Sequence, residues 1–262
     1  MLTIDKYIRP ASLAEAYELT QVKNSVVLGG MLWLRLQTRR IGTAIDLCEL
    51  GLNKIEETSD FYRIGAYVTL RDLEIHTGLN MLTNGAIADS VSHIVGVQFR
   101  NLATVGGSIF GRFGFSDVLT LFMALGASVE LYHGGILPIE QFAEMGKTRD
   151  ILTHLHLPKT PSKTVYLAQR NTATDFPVLT TAVSLRDDRL SCAIGARPLH
   201  AVLYTEADFM ENCTDEKIVD LAERIAVQTV FASNRRASEE YRRHLCAVLI
   251  RRAIKNAGKE NV

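Results

Sequence analysis

Two short glycine-centred segments are where this chain could do chemistry. The first is Val26-Val27-Leu28-Gly29-Gly30-Met31-Leu32, a β-branched apolar run that stops at two glycines. Glycine carries no Cβ, so a strand ending this way lets backbone N–H groups approach an anion. The same pair could also close a tight strand-to-helix turn with no ligand. Trp33 stands beside it and reads as packing. The second segment is Asn101-Leu102-Ala103-Thr104-Val105-Gly106-Gly107-Ser108-Ile109, with a hydroxyl on either side of its glycines and Ser116-Asp117 following. Thr104, Ser108 and nearby amides could hydrogen-bond a diphosphate, and Asp117 could accept from a ribose hydroxyl. Ser116 or Asp117 could also cap the next helix, and both roles can hold together. A dinucleotide diphosphate needs donors from more than one side, so two such segments point further than one.

Other candidates are weaker. His154 and His156 share one face of a strand at i, i+2, but no third metal ligand is indicated, and the pair reads as a solvated face. Arg235-Arg236, Arg242-Arg243 and Arg251-Arg252 make the last helix locally basic, offset by Glu239 and Glu240. They read as a solvated face, with a docking surface for an acidic partner as the other reading. The chain has no GxGxxG after its first strand, no GxxxxGK[ST], no GxSxG and no HExxH. A nucleotide bound here is held by another kind of fold.

The elements that must position these segments fall into three groups. Strand signals at Asp5–Arg9, Ser25–Leu28 and Thr43–Leu47 alternate with a helix capped by Ser12 and Glu15 and a short helix over Met31–Leu36, an order that favours parallel pairing. Beyond Asn53, Lys54–Thr58 and Phe61–Tyr67 read as a hairpin, and Thr69–Asp72 caps a helix. A helix over Asn84–Val95 and a buried one over Asp117–Leu125 follow, then strands at Ala127–Tyr132 and Ile151–Leu157. Lys159–Lys163 is the best linker. After it come strands near Val165–Arg170, Val178–Leu185 and Leu190–Ile194, then helices over Asp215–Phe231 and Arg236–Asn256. This divides the chain into 1–53, 54–160 and 161–262.

Composition narrows the class. The chain has 262 residues, 47% of them hydrophobic and 22% charged, which is too apolar for disorder and long enough for a core without staples. Basic and acidic residues number 29 each, which argues against whole-protein attraction to nucleic acid or anionic membrane. Cys48, Cys192, Cys213 and Cys246 are too scattered for a thiolate zinc site or a locally encoded iron–sulfur cluster. Asp5, Lys6 and Arg9 stand where a signal peptide would need its apolar stretch, so none is expected, and no uncharged apolar run approaches the 18 residues of a membrane span. The expectation is a reduced, cytoplasmic protein.

Together these residues resemble the FAD-binding subunit or domain of molybdenum-containing hydroxylases, the medium-subunit type of xanthine dehydrogenase and carbon monoxide dehydrogenase. The resemblance covers nearly the whole chain. Tyr7-Ile8-Arg9-Pro10-Ala11-Ser12-Leu13-Ala14-Glu15-Ala16 matches the family's opening Tyr/Phe-x-x-Pro-x-Ser-x-x-Glu-Ala, and Leu28-Gly29-Gly30-Met31 its Ala-Gly-Gly-Thr-like loop. Arg100-Asn101-Leu102-Ala103-Thr104-Val105-Gly106-Gly107-Ser108 fits the more specific Arg-Asn-x-Ala-Thr-x-Gly-Gly-Asn/Ser, and Asp117 matches the Asp at the next helix start. Arg170, Asp175-Phe176-Pro177-Val178, Ile194–Pro198 and Ala237–Arg243 resemble the family's C-terminal domain.

The resemblance implies an α+β fold with mixed α/β lobes. Two lobes of the vanillyl-alcohol-oxidase/PCMH type would clasp FAD, followed by a small C-terminal α+β domain like that of carbon monoxide dehydrogenase flavoproteins. The first loop's share of the site carries over to Val27, Leu28, Gly29, Gly30, Met31, Leu32 and Trp33. The second loop's share is Ala103, Thr104, Gly106, Gly107 and Ser108, with Phe110 and Gly111 beyond. Asp117 would bind ribose, and Phe99, Ile151 and Leu152 would lie against the flavin or adenine rings. The implied work is electron transfer in a cytoplasmic hetero-oligomer: from [2Fe–2S] clusters on an iron–sulfur subunit, fed by a molybdopterin subunit, through FAD to an acceptor such as NAD. Other readings are a flavin-free assembly subunit and a self-contained flavin oxidase. Two departures stand out: Met31-Leu32 replaces the polar pair usual after Gly-Gly, and Gly111–Phe115 stands where small residues and a proline are commoner.

Overall fold

The first helix starts where Ser12 and Glu15 require it. The Ser12 hydroxyl accepts the Glu15 N–H at 3.2 Å, and the Glu15 carboxylate accepts from the Ala11 N–H at 2.8 Å, one residue upstream of the usual reciprocal bond. The structure, a computed structural model, describes residues 1–209 and 213–258. Its first group comprises β1 (Thr3–Ile8), α1 (Leu13–Gln21), β2 (Ser25–Leu28) and β3 (Arg40–Asp46). The strands form a parallel sheet in the order β1-β3-β2, as alternating strand and helix signals predict. The helix expected over Met31–Leu36 shrinks to one 3-10 turn at Leu34–Leu36. Met31 sits at φ 58°, left-handed backbone that cannot open a right-handed helix.

The second group holds β4 (Ile55–Glu57), β5 (Phe61–Gly65), α2 (Leu70–Ile75), α3 (Thr77–Leu82), α4 (Ala86–Ser92), α5 (Val97–Arg100), α6 (Val105–Phe110) and α7 (Asp117–Ala124). It closes with β6 (Ser128–Leu131), β7 (Gly135–Pro138), α8 (Ile139–Glu144) and β8 (Leu152–Pro158). All its strand pairs are antiparallel, in the order β4-β5-β8-β6-β7. The helix expected over Asn84–Val95 is shorter because Asn84, Gly85 and Val95 all have positive φ. Every residue of α7 is buried, which explains its apolar character on most faces.

After the connection at 159–162 come β9 (Lys163–Arg170), β10 (Pro177–Arg186), β11 (Arg189–Gly195), the unanticipated β12 (Val202–Glu206), α9 (Asp215–Gln228) and α10 (Glu239–Gly258). The sheet is antiparallel, ordered β12-β11-β10-β9. One face buries Leu221, Ile225, Leu249 and Ile250 from the two helices. The other packs on α7, where Ala182 and Ala193 join the same core as Phe122. Each such large side chain contributes roughly 1.5–3 kcal/mol by burial. α7 is thus the shared wall between the second and third groups.

Two surface expectations are corrected. His154 and His156 are not a solvated face: cross-strand register sets Glu130 opposite His154 and Arg63 opposite His156. His156 Nε2 lies 2.7 Å from Glu130 Oε2, and Arg63 donates to Glu130 Oε1 at 3.1 Å. His154 Nδ1 lies 3.4 Å from Glu130 Oε2 without hydrogen-bond geometry. The charged partners come from neighbouring strands and cover the rings. Arg242 is likewise buried, because the carbonyls of Val178, Ala232 and Ala237 and the side chain of Asn234 take up its donors.

Candidate cofactor-binding site

β2 delivers the first glycine pair and the β5–α2 connection pins it. Tyr67 donates its hydroxyl hydrogen to the Leu28 carbonyl and accepts the Leu47 N–H at 3.0 Å. Burial pushes the Tyr67 pKa up, so the phenol keeps its proton for that bond. Beyond Leu28 the two glycine segments touch. A Cβ on Gly30 would lie 1.7 Å from the Leu102 carbonyl oxygen, and one on Gly29 would lie 2.9 Å from Thr104 Oγ1. Only glycine permits this approach.

The second segment is not a loop throughout. Thr104 caps α6, its hydroxyl accepting from the Gly107 N–H at 3.1 Å, so Gly106 and Gly107 lie inside a short helix. Ser108 donates its hydroxyl to the Thr104 carbonyl at 3.0 Å. Ser116 caps α7: it accepts from the Leu119 N–H at 3.1 Å and donates to the Ser108 carbonyl at 2.7 Å, tying α7 to α6. Asp117 is the first residue of α7, and its Oδ1 accepts from Tyr166 and, at 2.5 Å, from Arg170. Burial raises the Asp117 pKa, opposed by Arg170 and Tyr166.

These elements enclose a cavity of about 1050 Å³, at the upper end of the range for small-molecule sites. Val27, Gly29, Gly30, Met31, Leu32 and Trp33 line it from the first segment. Phe99, Ala103, Thr104, Gly107, Ser108, Phe110, Gly111 and Asp117 line it from the second group. Four expected site residues do not. Leu28 turns into the apolar cluster of Ile41 and Ala44, and Gly106 packs against Ala66, whose carbonyl accepts its N–H at 2.8 Å. Ile151 is buried with Ile45, Leu47 and Leu52, and Leu152 belongs to the main core. Their apolar or crowded surroundings place them behind the wall.

The cavity also has residues that the sequence did not single out for the site. Arg39, Arg112, Lys147 and Arg170 line it against the two carboxylates of Asp117 and Asp175, leaving positive charge in excess. Arg112 is buried at φ 47°, donates to the Met145 carbonyl and at 2.7 Å to that of Gly146, and has no carboxylate partner among the described residues. The Gly111–Phe115 departure builds an aromatic cluster with Trp33. Phe113 stacks on Phe115 at 5.1 Å, Phe115 meets Phe176 edge-on at 4.6 Å, and Trp33 stacks on Phe176 at 5.4 Å. Trp33 therefore packs and faces the cavity at once. Among the described residues no group of three or more His, Cys, Asp or Glu is placed to hold a metal.

Known proteins of the same size resemble the chain end to end. The medium subunit of nicotine 6-hydroxylase from Paenarthrobacter nicotinovorans is 26% identical over 275 residues, covering 97% of each chain. The medium chain of glyceraldehyde dehydrogenase from Sulfolobus acidocaldarius is 23% identical, covering 95% of this chain and 96% of that one. A carbon monoxide dehydrogenase chain from Hydrogenophaga pseudoflava superposes with a TM-score of 0.85 at 20% identity, covering 96% of both chains. A quinoline 2-oxidoreductase chain from Pseudomonas putida 86 superposes at 0.83 with 18% identity over 97% of both. These superpositions bear out the expected mixed α+β fold class. A family profile described as the FAD binding domain in molybdopterin dehydrogenase matches residues 2–160, more than half of the chain, and the chain belongs to that family.

Proposed function

We propose that this chain is the FAD-carrying, electron-transferring subunit of a xanthine dehydrogenase-like, molybdopterin-dependent oxidoreductase. One observation carries the reading: both glycine segments meet on one cavity whose lining is positive in excess. A diphosphate is a dianion, and it fits a glycine-lined floor with no Cβ in the way beneath a lining rich in arginine. Val27 and Gly29 to Trp33 would hold it from one side, and Ala103, Thr104, Gly107 and Ser108 from the other. Asp117 would receive a ribose hydroxyl, while Phe99, Phe110 and Gly111 would bound the rings. Leu28, Gly106, Ile151 and Leu152 support that floor from behind.

Bound FAD supplies the redox centre between [2Fe–2S] clusters on an iron–sulfur partner, fed in turn by a molybdopterin partner, and an acceptor such as NAD. This chain's residues hold and orient, and none is assigned a proton to move. The relatives named as a medium subunit and a medium chain support a place in a hetero-oligomer. No helix among the described residues is long and apolar enough to cross a membrane, and the proposed location is the cytoplasm. We place the working boundaries near residues 53 and 160.

Denaturing the purified chain and identifying what it releases tests the reading. Equimolar FAD is expected. A colourless chain that also refuses added FAD would contradict it and leave an assembly subunit, and substrate turnover by the isolated chain would mark a self-contained flavin oxidase instead.

A further inference from the structure

Arg112 stands on the cavity wall, on the turn that follows α6, within the Gly111–Phe115 segment where small residues are commoner. Its backbone sits at φ 47°, and the third group clamps the turn. Ala196 donates its N–H to the Gly114 carbonyl at 2.6 Å, and His200 Nδ1 lies 2.9 Å from the Arg112 carbonyl. The side chain is buried, its guanidinium 4.6 Å from the centre of the Phe142 ring. Nη1 donates to the carbonyls of Met145 and Gly146, and Nε donates to that of Phe110 at 3.3 Å. Nη2 has no hydrogen-bond partner among the described residues, and protein does not enclose it. Both carboxylates of the lining are committed elsewhere, Asp117 to Arg170 at 2.5 Å and Asp175 to Arg236 at 3.3 Å. A buried cation with neither a counter-charge nor a full set of acceptors is costly, and a bound anion supplies both at once. Arg242 is the useful contrast. It is buried away from the cavity, and its Nε, Nη1 and Nη2 all donate to oxygen atoms.

We infer that Arg112 contacts the diphosphate of the bound dinucleotide, its Nη2 donating to a phosphate oxygen. The inference rests on the FAD reading and deepens it. Just upstream, Gly107 and Ser108 line the cavity, but the Gly107 N–H is taken by Thr104 Oγ1 and the Ser108 hydroxyl by the Thr104 carbonyl. That stretch therefore offers the anion room, and Arg112 at its end offers a free donor that carries charge. His200 and the Met145 and Gly146 carbonyls are its positioning groups.

Arg112→Gln removes the charge and keeps an amide that can donate to the same carbonyls. The ligand-free variant should melt close to wild type, because the lost charge has no counter-charge in the empty site. It should bind FAD about 10- to 100-fold more weakly in a flavin fluorescence titration. Its affinity should also fall less steeply with added salt than that of wild type. In the wild-type chain, where folding is not in question, a crystal structure with FAD should place a phosphate oxygen within about 3.2 Å of Arg112 Nη2. Unchanged FAD affinity in the variant, or a diphosphate out of reach of Nη2 in the wild type, overturns the inference and leaves the FAD reading standing. A wild-type chain that binds no FAD overturns both.

Discussion

Gly29-Gly30 and Gly106-Gly107 are the same dipeptide in two settings. The first ends a parallel strand and leads into Met31 at φ 58°, while the second lies inside α6 behind the Thr104 cap. Gly30 is glycine because of the backbone it touches, the Leu102 carbonyl oxygen. The second pair divides its work. Gly106 packs down on Ala66, where a Cβ would lie 2.8 Å from the carbonyl oxygen, and Gly107 lines the cavity, where a Cβ would lie 3.1 Å from Thr104 Oγ1. Two similar signatures therefore carry three jobs: joining the segments, packing a helix, and keeping a floor open.

Substitutions separate those jobs. Gly30→Ala should be the most severe, since backbone rather than a side chain must yield. It should cost about 3 kcal/mol, read as a lower denaturation midpoint, and abolish flavin retention. Tyr67→Phe comes next. It removes the bonds to the Leu28 carbonyl and from the Leu47 N–H, costs about 1–3 kcal/mol, and should weaken FAD binding with the second segment untouched. Gly107→Ala sharpens the contrast. A helical alanine gains about 0.5–1 kcal/mol over glycine, which offsets the crowding at Thr104. The ligand-free melting temperature should stay near wild type while FAD affinity falls.

The smallest effect lies away from both segments, in the cluster around Glu130. Burial, with Arg63 adding to it, holds the His154 pKa below its ordinary 6.5. Burial acts to raise the Glu130 pKa, but hydrogen bonds from Arg63 and His156 outweigh it and hold the carboxyl below its ordinary 4.5. In both cases the unfolded chain takes up the proton first as pH falls, so the stabilisation is present above these ordinary values and lost below them. Between pH 7 and pH 5.5 the His154 contribution to stability should fall by about 1 kcal/mol or less, read as the difference in melting between wild type and a His154 variant. His154→Leu should remove that slope. A variant that keeps it would place the titration elsewhere.

Local signals were legible. Ser12 and Thr69 cap helices where their spacing with Glu15 and Asp72 says they should, and the alternation before Asn53 folds into the parallel sheet. What escaped is what strands and helices bring together from afar. Gly-Gly reads as a loop, yet Thr104 starts a helix through it, because a cap depends on backbone geometry rather than composition. Arg170 and Phe176 reach the cavity through the packing of α7 against the third sheet, and Arg112 through the turn that follows α6 and the carbonyls of Met145 and Gly146. Glu130 meets the two histidines through strand register, which no single-strand pattern reveals. Ile151 and Leu152 were carried to the site by resemblance alone, and the local packing puts them in core clusters instead.

In the proposed reading both glycine segments close on one dinucleotide. Amide hydrogen exchange of the wild-type chain, with and without saturating FAD, tests it most directly. Added protection at Gly29–Leu32 and at Gly107–Ser108 together is expected. Protection at one segment with the other unchanged, or at neither while FAD is bound, would contradict it.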